Sequence, residues 1–137
     1  MKRLKIFEEL LEYNIPEIYN NFNSNGILTD YYLIEWIMTI FTKNLNVDLA
    51  ARIWDLYMIE GIKALFQTSI AILMINKSNL INSNFDVSMS ILKGKKIFDV
   101  DSEELMYYIT KTKFNDMICF EIQKLDDEYI PLYNSNM

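Results

Sequence analysis

Apolar residues recur every three or four positions along most of this chain, and the runs break at Pro, Gly, Asn and Ser. That period puts one side of each run toward a common core and spells a succession of α-helices. Leu4, Phe7, Leu10 and Leu11 share a face of a first helix, about Leu4 to Tyr13. Ile15-Pro16 ends it and opens a short helical turn through Tyr19 and Phe22. Asn23-Ser24-Asn25-Gly26 reads as a turn. Thr29 is then placed to cap a long helix from Asp30 to about Lys43, with Leu33, Trp36, Ile37, Ile40 and Phe41 in a stripe. Ile34 and Met38 widen that stripe beyond one face.

Asn46 is expected to cap the next helix, Val47 to about Ile59, on which Asp48, Arg52 and Asp55 fall in line. Gly61 supplies a left-handed terminator. A helix from about Ile62 to Ile75 follows, then an Asn/Ser-rich loop and a shorter helix near Asp86 to Leu92. Asp101-Ser102-Glu103-Glu104 has the form of a capping box ahead of Leu105, Met106, Tyr108 and Ile109. Asn115 can cap a last helix bearing Ile118, Ile122, Leu125 and Tyr129, which Pro131 should stop. No run is short and alternating, as a strand would be. The expectation is a single all-α unit over residues 1–137, a compact array of about seven helices.

The uncharged run Ala64 to Asn76 is too short to cross a bilayer and contains Gln67, Thr68 and Ser69, so it reads as a buried core helix. A chain of 137 residues, 51% hydrophobic and 23% charged, has the composition of a globular domain. Folding at that size removes roughly 68% of its surface from water. The Asn-rich patches are read as background composition. A net charge of −6 provides no basic field for nucleic acid or anionic lipid. Cys119 is the single cysteine; read as buried, it fits a reducing compartment and hence the cytoplasm. Met1 to Lys5 begins like a signal peptide, but Glu8 and Glu9 interrupt the apolar run, so the sequon Asn76-Lys77-Ser78 is expected to stay unused.

An ordered set of residues adds to this picture: Pro16, Gly26-Ile27, Tyr32, Trp36, Thr39, Phe41, Arg52-Ile53-Trp54-Asp55, Gly61 and Leu65-Phe66. In this order and at these gaps they resemble the second half of a TBC domain, the Rab-GTPase-activating fold. Ser102 to Leu105 and Glu121 to Tyr129 are similar to that family's closing helices. Asn20 or Asn21 stands where the family often has His, and Asn46 where a Pro usually opens the Arg-Trp-Asp helix.

The resemblance implies a partner, a Rab-type GTPase, a role in vesicle trafficking, and a cytoplasmic location peripheral to endomembranes. It also implies what this stretch lacks. The family's Arg finger, in Ile-x-x-Asp-x-x-Arg, and Gln finger, in Tyr-x-Gln, belong to its first half. The Arg neutralises charge on the transferring phosphoryl group, worth about 10³ to 10⁵ in rate, and the Gln positions water. Here Arg3, Arg52, Gln67 and Gln123 are the only Arg and Gln residues, and none lies in either motif.

Each remaining candidate has a plainer structural explanation. Arg52 lies mid-helix with Asp48 and Asp55 within reach, so it reads as a scaffold residue. Trp36 and Trp54 read as core residues on apolar stripes. Lys93, Lys95 and Lys96, around Gly94, could touch an acidic partner, but they read first as a solvated loop. Asp126-Asp127-Glu128 point in different directions on a helix and read as a solvated face. With no His and one Cys, neither a catalytic dyad nor a zinc site can be assembled, and Gly26, Gly61 and Gly94 are too scattered for a phosphate loop. No catalytic residue, cofactor or metal is expected.

The expected function is that of a C-terminal scaffold for the finger-bearing half of a GTPase activator. The alternative is a non-catalytic helical interaction module. In either case some apolar surface should remain exposed on the isolated chain, allowing self-association.

Overall fold

A computed structural model describes residues 2–39 and 45–135, with side chains for 3–38 and 45–125. Among the described residues the protein is all-α, with nine α-helices: α1 (Lys2–Asn14), α2 (Pro16–Ser24), α3 (Leu33–Thr39), α4 (Val47–Glu60), α5 (Ile62–Ile75), α6 (Lys77–Leu80), α7 (Phe85–Lys93), α8 (Ser102–Lys111) and α9 (Asp116–Ser135). The count exceeds seven partly because the Asn/Ser-rich loop contains α6.

The array is built around α5. Ala64, Leu65, Phe66, Ile70, Ala71, Ile72 and Leu73 are all buried, and a helix apolar on nearly every side must be enclosed by others. It contacts α1, α3, α4, α8 and α9. Its two buried hydroxyls bond back along the helix, Thr68 to the Ala64 carbonyl at 2.8 Å and Ser69 to the Leu65 carbonyl at 3.0 Å, so neither is left unsatisfied.

Beside α5 runs a chain of edge-to-face rings. Phe66 packs on Phe7 at 5.7 Å, Phe7 on Tyr32 at 6.4 Å, Tyr32 on Trp36 at 5.1 Å and Trp36 on Phe98 at 5.3 Å. Phe22 joins at Tyr32, 5.8 Å away. These contacts stitch α1, α2, α3, α5 and the 3-10 turn at 96–98 into one core.

Several sequence expectations hold. Pro16 opens α2, Asn46 accepts from the Leu49 amide at 2.8 Å, and Gly61 ends α4 with φ +70°. Asp101 accepts from the Glu104 amide at 3.1 Å, and Asn115 from Ile118 at 2.7 Å.

Others are corrected. Thr29 does not cap a long helix: Thr29–Tyr31 forms a 3-10 turn, α3 starts only at Leu33, and the Thr29 hydroxyl donates to Glu8 Oε1 at 2.8 Å. A threonine hydroxyl serves a neighbouring element as readily as its own helix end. Pro131 does not stop α9, which runs on to Ser135, because a proline removes one amide and crowds one carbonyl without forbidding the next turn. Cys119 is exposed on α9, so the burial used to argue for a reducing compartment does not hold. Ile40, Phe41 and Lys43 lie outside the described residues, as do the side chains of Thr39, Asp126, Asp127, Glu128 and Tyr129.

Asparagine amides tie distant segments together. Asn14 donates to the Lys113 carbonyl at 2.9 Å and accepts from its amide at 2.6 Å, closing the turn between α8 and α9 onto the end of α1. Asn21 donates to the carbonyls of Leu80 at 2.6 Å and Ser83 at 3.1 Å, and Asn25 also reaches Ser83 at 3.1 Å. Asn21 thus clamps the loop after α6. The Asn-rich patches are more than background composition.

Candidate functional site

The Arg52-Ile53-Trp54-Asp55 segment lies in the middle of α4, held at one end by the Asn46 cap and at the other by the Gly61 amide bonding to the Tyr57 carbonyl at 2.8 Å. Leu49, Ala50 and Ile53 face inward and fix the helix against α5. The opposite surface carries the motif's polar and aromatic groups.

Arg52 is held differently from what the sequence suggested. Its Nη1 donates to Glu103 Oε1 at 3.1 Å, across to the first turn of α8, rather than to Asp48 or Asp55. Spacing along one helix cannot reveal a partner 51 residues away. The guanidinium bridges two helices at an exposed site. Exposed ion pairs of this kind contribute about 0–1 kcal/mol, so the bridge orients α8 more than it stabilises it.

The two tryptophans separate. Trp36 is 2% exposed, and its indole donates to the Leu92 carbonyl at 3.2 Å. Trp54 is 44% exposed and packs edge-on to Tyr57 at 5.7 Å, which corrects the reading of it as core. On α4 it lies on the boundary between the buried and solvent faces, and a period count cannot tell which side of that boundary a wide ring will take. Asp55 is exposed beside it.

The basic cluster is a surface turn. Lys93 pairs with Glu35 on α3 at 2.8 Å, linking α3 to the end of α7, while Lys95 and Lys96 are exposed. Gln67 reaches the Ile109 carbonyl at 3.4 Å, spanning α5 and α8, and Gln123 is exposed on α9. Arg3, Arg52, Gln67 and Gln123 are therefore spread over α1, α4, α5 and α9.

An open cleft of about 430 Å³ lies between α1 and α9, lined by Glu9, Glu12, Tyr13, Asn115, Met117 and Ile118. Its carboxylates would repel a nucleotide phosphate. No cluster of metal-ligating side chains is present among the described residues, and no described helix is long and apolar enough to cross a membrane.

Tyr32 is fully buried, and its hydroxyl has no hydrogen-bond partner among the described residues. Burial, and then the nearby Glu8 carboxylate, push its pKa well above the ordinary phenol value.

Residues 1–81, from α1 to just beyond α6, match the model of the Rab-GTPase-TBC domain. The chain belongs to that family. Among curated proteins it is similar to TBC1 domain family member 12 of Xenopus tropicalis, 29% identical over 137 residues, which is all of this chain and 19% of that protein. It is also similar to the human TBC1 domain family member 14, 36% identical over 99 residues, 72% of this chain and 14% of that protein. The mouse ecotropic viral integration site 5 protein is 27% identical over 135 residues, 96% of this chain and 16% of that protein. The chain thus spans less than a fifth of the length of these relatives. Within the TBC match lie both tryptophans and the Arg52-to-Asp55 segment, so the family pattern spans a buried ring at Trp36 and a half-exposed one at Trp54.

Proposed function

We propose that this chain is the C-terminal scaffold of a Rab-type GTPase activator, holding a finger-bearing half in place and completing part of the GTPase-binding surface without a finger of its own. The observation that carries this reading is the tethering of Arg52. It is mid-helix and bonded to Glu103, whereas a finger must project freely into a partner's site. Lys93, Lys95 and Lys96 are exposed cations suited to an acidic patch on a GTPase. Membership of the Rab-GTPase-TBC family supports the Rab-type partner and a place in membrane traffic.

The test is single-turnover GTP hydrolysis by a panel of Rab-type GTPases with the chain added alone. The expected rate is the intrinsic one. A ten-fold rise, about 1.4 kcal/mol of barrier lowering, would overturn the scaffold reading, and Arg52→Ala would then show whether that residue is responsible.

The exposure of Trp54, with Val47 and Met58 on the same helix, favours one second reading: a helical interaction module without GTPase activation. Coding sequence upstream of Met1 containing both finger motifs decides for the scaffold; upstream sequence lacking them decides for the module.

A further inference from the structure

The chain contains a single Asn-Gly pair, Asn25-Gly26, just past the end of α2. Asparagine before glycine is chemically labile, because no side chain shields the glycine nitrogen from the asparagine amide carbon. The Gly26 nitrogen would bond to Asn25 Cγ, and the side-chain amide nitrogen would leave as ammonia, taking the proton of the attacking N–H. Solvent water then opens the cyclic imide to aspartate or isoaspartate. Nothing is oxidised or reduced, and water is the sole co-reactant.

The fold holds this pair out of reaction. Asn25 has φ −96° and ψ 1°, so the Gly26 nitrogen eclipses the backbone nitrogen of Asn25 rather than its Cβ, and attack needs a large rotation of ψ. Gly26, at φ +72°, donates to the Asn23 carbonyl at 3.3 Å, and Ile27 donates to the Phe22 carbonyl at 2.9 Å, the pattern of a Schellman turn. The Asn25 amide is tied down as well. Its Nδ2 lies 2.8 Å from the Asn21 carbonyl, 3.1 Å from Asn21 Oδ1 and 3.1 Å from the Ser83 carbonyl. Asn21 bonds the same Ser83 carbonyl at 3.1 Å, so two asparagines close one clamp on the loop after α6.

We propose that Asn25 is a deamidation site gated by this clamp, and that its conversion to a carboxylate holds the clamp open. While the clamp is closed, Cγ and the Gly26 nitrogen cannot meet. A local opening of the loop frees both, and such openings cost less than global unfolding. The product cannot close as before. Aspartate at this position replaces the donor with an oxygen facing three acceptors, the Asn21 carbonyl, Asn21 Oδ1 and the Ser83 carbonyl. Isoaspartate lengthens the main chain by a methylene and breaks the turn bonds of Gly26 and Ile27. A transient separation of α2 from the loop thereby becomes permanent. The inference stands on the α2 clamp and is independent of the GTPase-activator reading.

Incubation of the 137-residue chain in mildly alkaline buffer, with fragment-ion mass spectrometry to place each exchange of amide for hydroxyl, reads the conversion site by site. Asn25 should convert at least about ten-fold more slowly in the folded chain than in a peptide of residues 20–30, where no clamp forms. Asn21→Ala should raise the rate in the folded chain toward that of the peptide, with far-ultraviolet circular dichroism unchanged. Asn23, which precedes Ser24 and lies outside the clamp, should convert equally in both chains. Asn25→Asp should speed hydrogen exchange across residues 77–88 more than Asn25→Ala does, and leave α5 unaffected. Conversion of the folded chain at the peptide's rate overturns the inference. So does an Asn21→Ala chain that converts no faster, or an Asn25→Asp chain whose loop exchanges as slowly as the original.

Discussion

Trp36→Ala removes the ring on which three parts of the fold converge. Trp36 projects from α3, stacks edge-on with Tyr32 at 5.1 Å and with Phe98 of the 96–98 turn at 5.3 Å, and bonds to the carbonyl of Leu92 in α7 at 3.2 Å. Truncation leaves a cavity in a close-packed core, for which about 3–5 kcal/mol is the usual cost, and the abandoned Leu92 carbonyl weighs toward the upper end. Trp54→Ala is the matched comparison. Its ring is already 44% exposed, so roughly half the packing is at stake, about 1–2 kcal/mol. For a chain of this length 1 kcal/mol moves the melting temperature by about 3–5 °C, so Trp36→Ala should lower it by about 9–25 °C and Trp54→Ala by about 3–10 °C. Thermal melts followed by circular dichroism, with urea titrations for the free energies, measure both. In Trp36→Phe, where Trp54 is the only indole left, native fluorescence should be red-shifted as befits a half-wet ring. Equal losses for the two alanine variants, or a blue-shifted Trp54, would refute the burial argument.

Tyr32→Phe should leave the melting temperature unchanged or raise it, because it deletes a buried hydroxyl with no partner among the described residues and keeps the ring contacts; a loss above about 1 kcal/mol would mean that the hydroxyl is satisfied by a group such as a buried water. The Lys77 ammonium hydrogen-bonds Glu17 and lowers its pKa. The α2–α6 tie is therefore present above the ordinary carboxylate range and is lost as pH falls through the depressed value; carbon-detected NMR titration should show Glu17 below the ordinary glutamate value, and Lys77→Gln should raise it. For Arg52 and Glu103, a double-mutant cycle of Arg52→Ala and Glu103→Gln should give a coupling below about 1 kcal/mol that shrinks with added salt, whereas a larger, salt-insensitive coupling would contradict an exposed pair.

The helices themselves were legible in the sequence because their causes are local. The three-to-four-residue apolar period, the caps at Asn46, Asp101 and Asn115, and the terminator at Gly61 act within a turn or two, and each is found where the residues placed it. The burial of α5 followed from its near-continuous apolar surface, and the family followed from the ordered spacing of Tyr32, Trp36, the Arg52-to-Asp55 segment and Gly61.

Relations between helices were decided only by the tertiary structure. Thr29 had a helix start beside it but bonds Glu8; Arg52 had two aspartates on its own helix but bonds Glu103; Asn21 bonds carbonyls some sixty residues away. In each case a flexible polar group chose among several partners, at energies of about 1 kcal/mol that differ little between them, so the choice rests on which backbone the core brings near. Trp54 shows the same limit for an apolar residue. Its period reads as core, and its 44% exposure depends on how α4 is rotated against α5, which the packing of Leu49, Ala50 and Ile53 sets. The sequence by itself determined which segments coil and which faces seek the core; the packed helices determined which polar groups meet and which part of an apolar face is left to water.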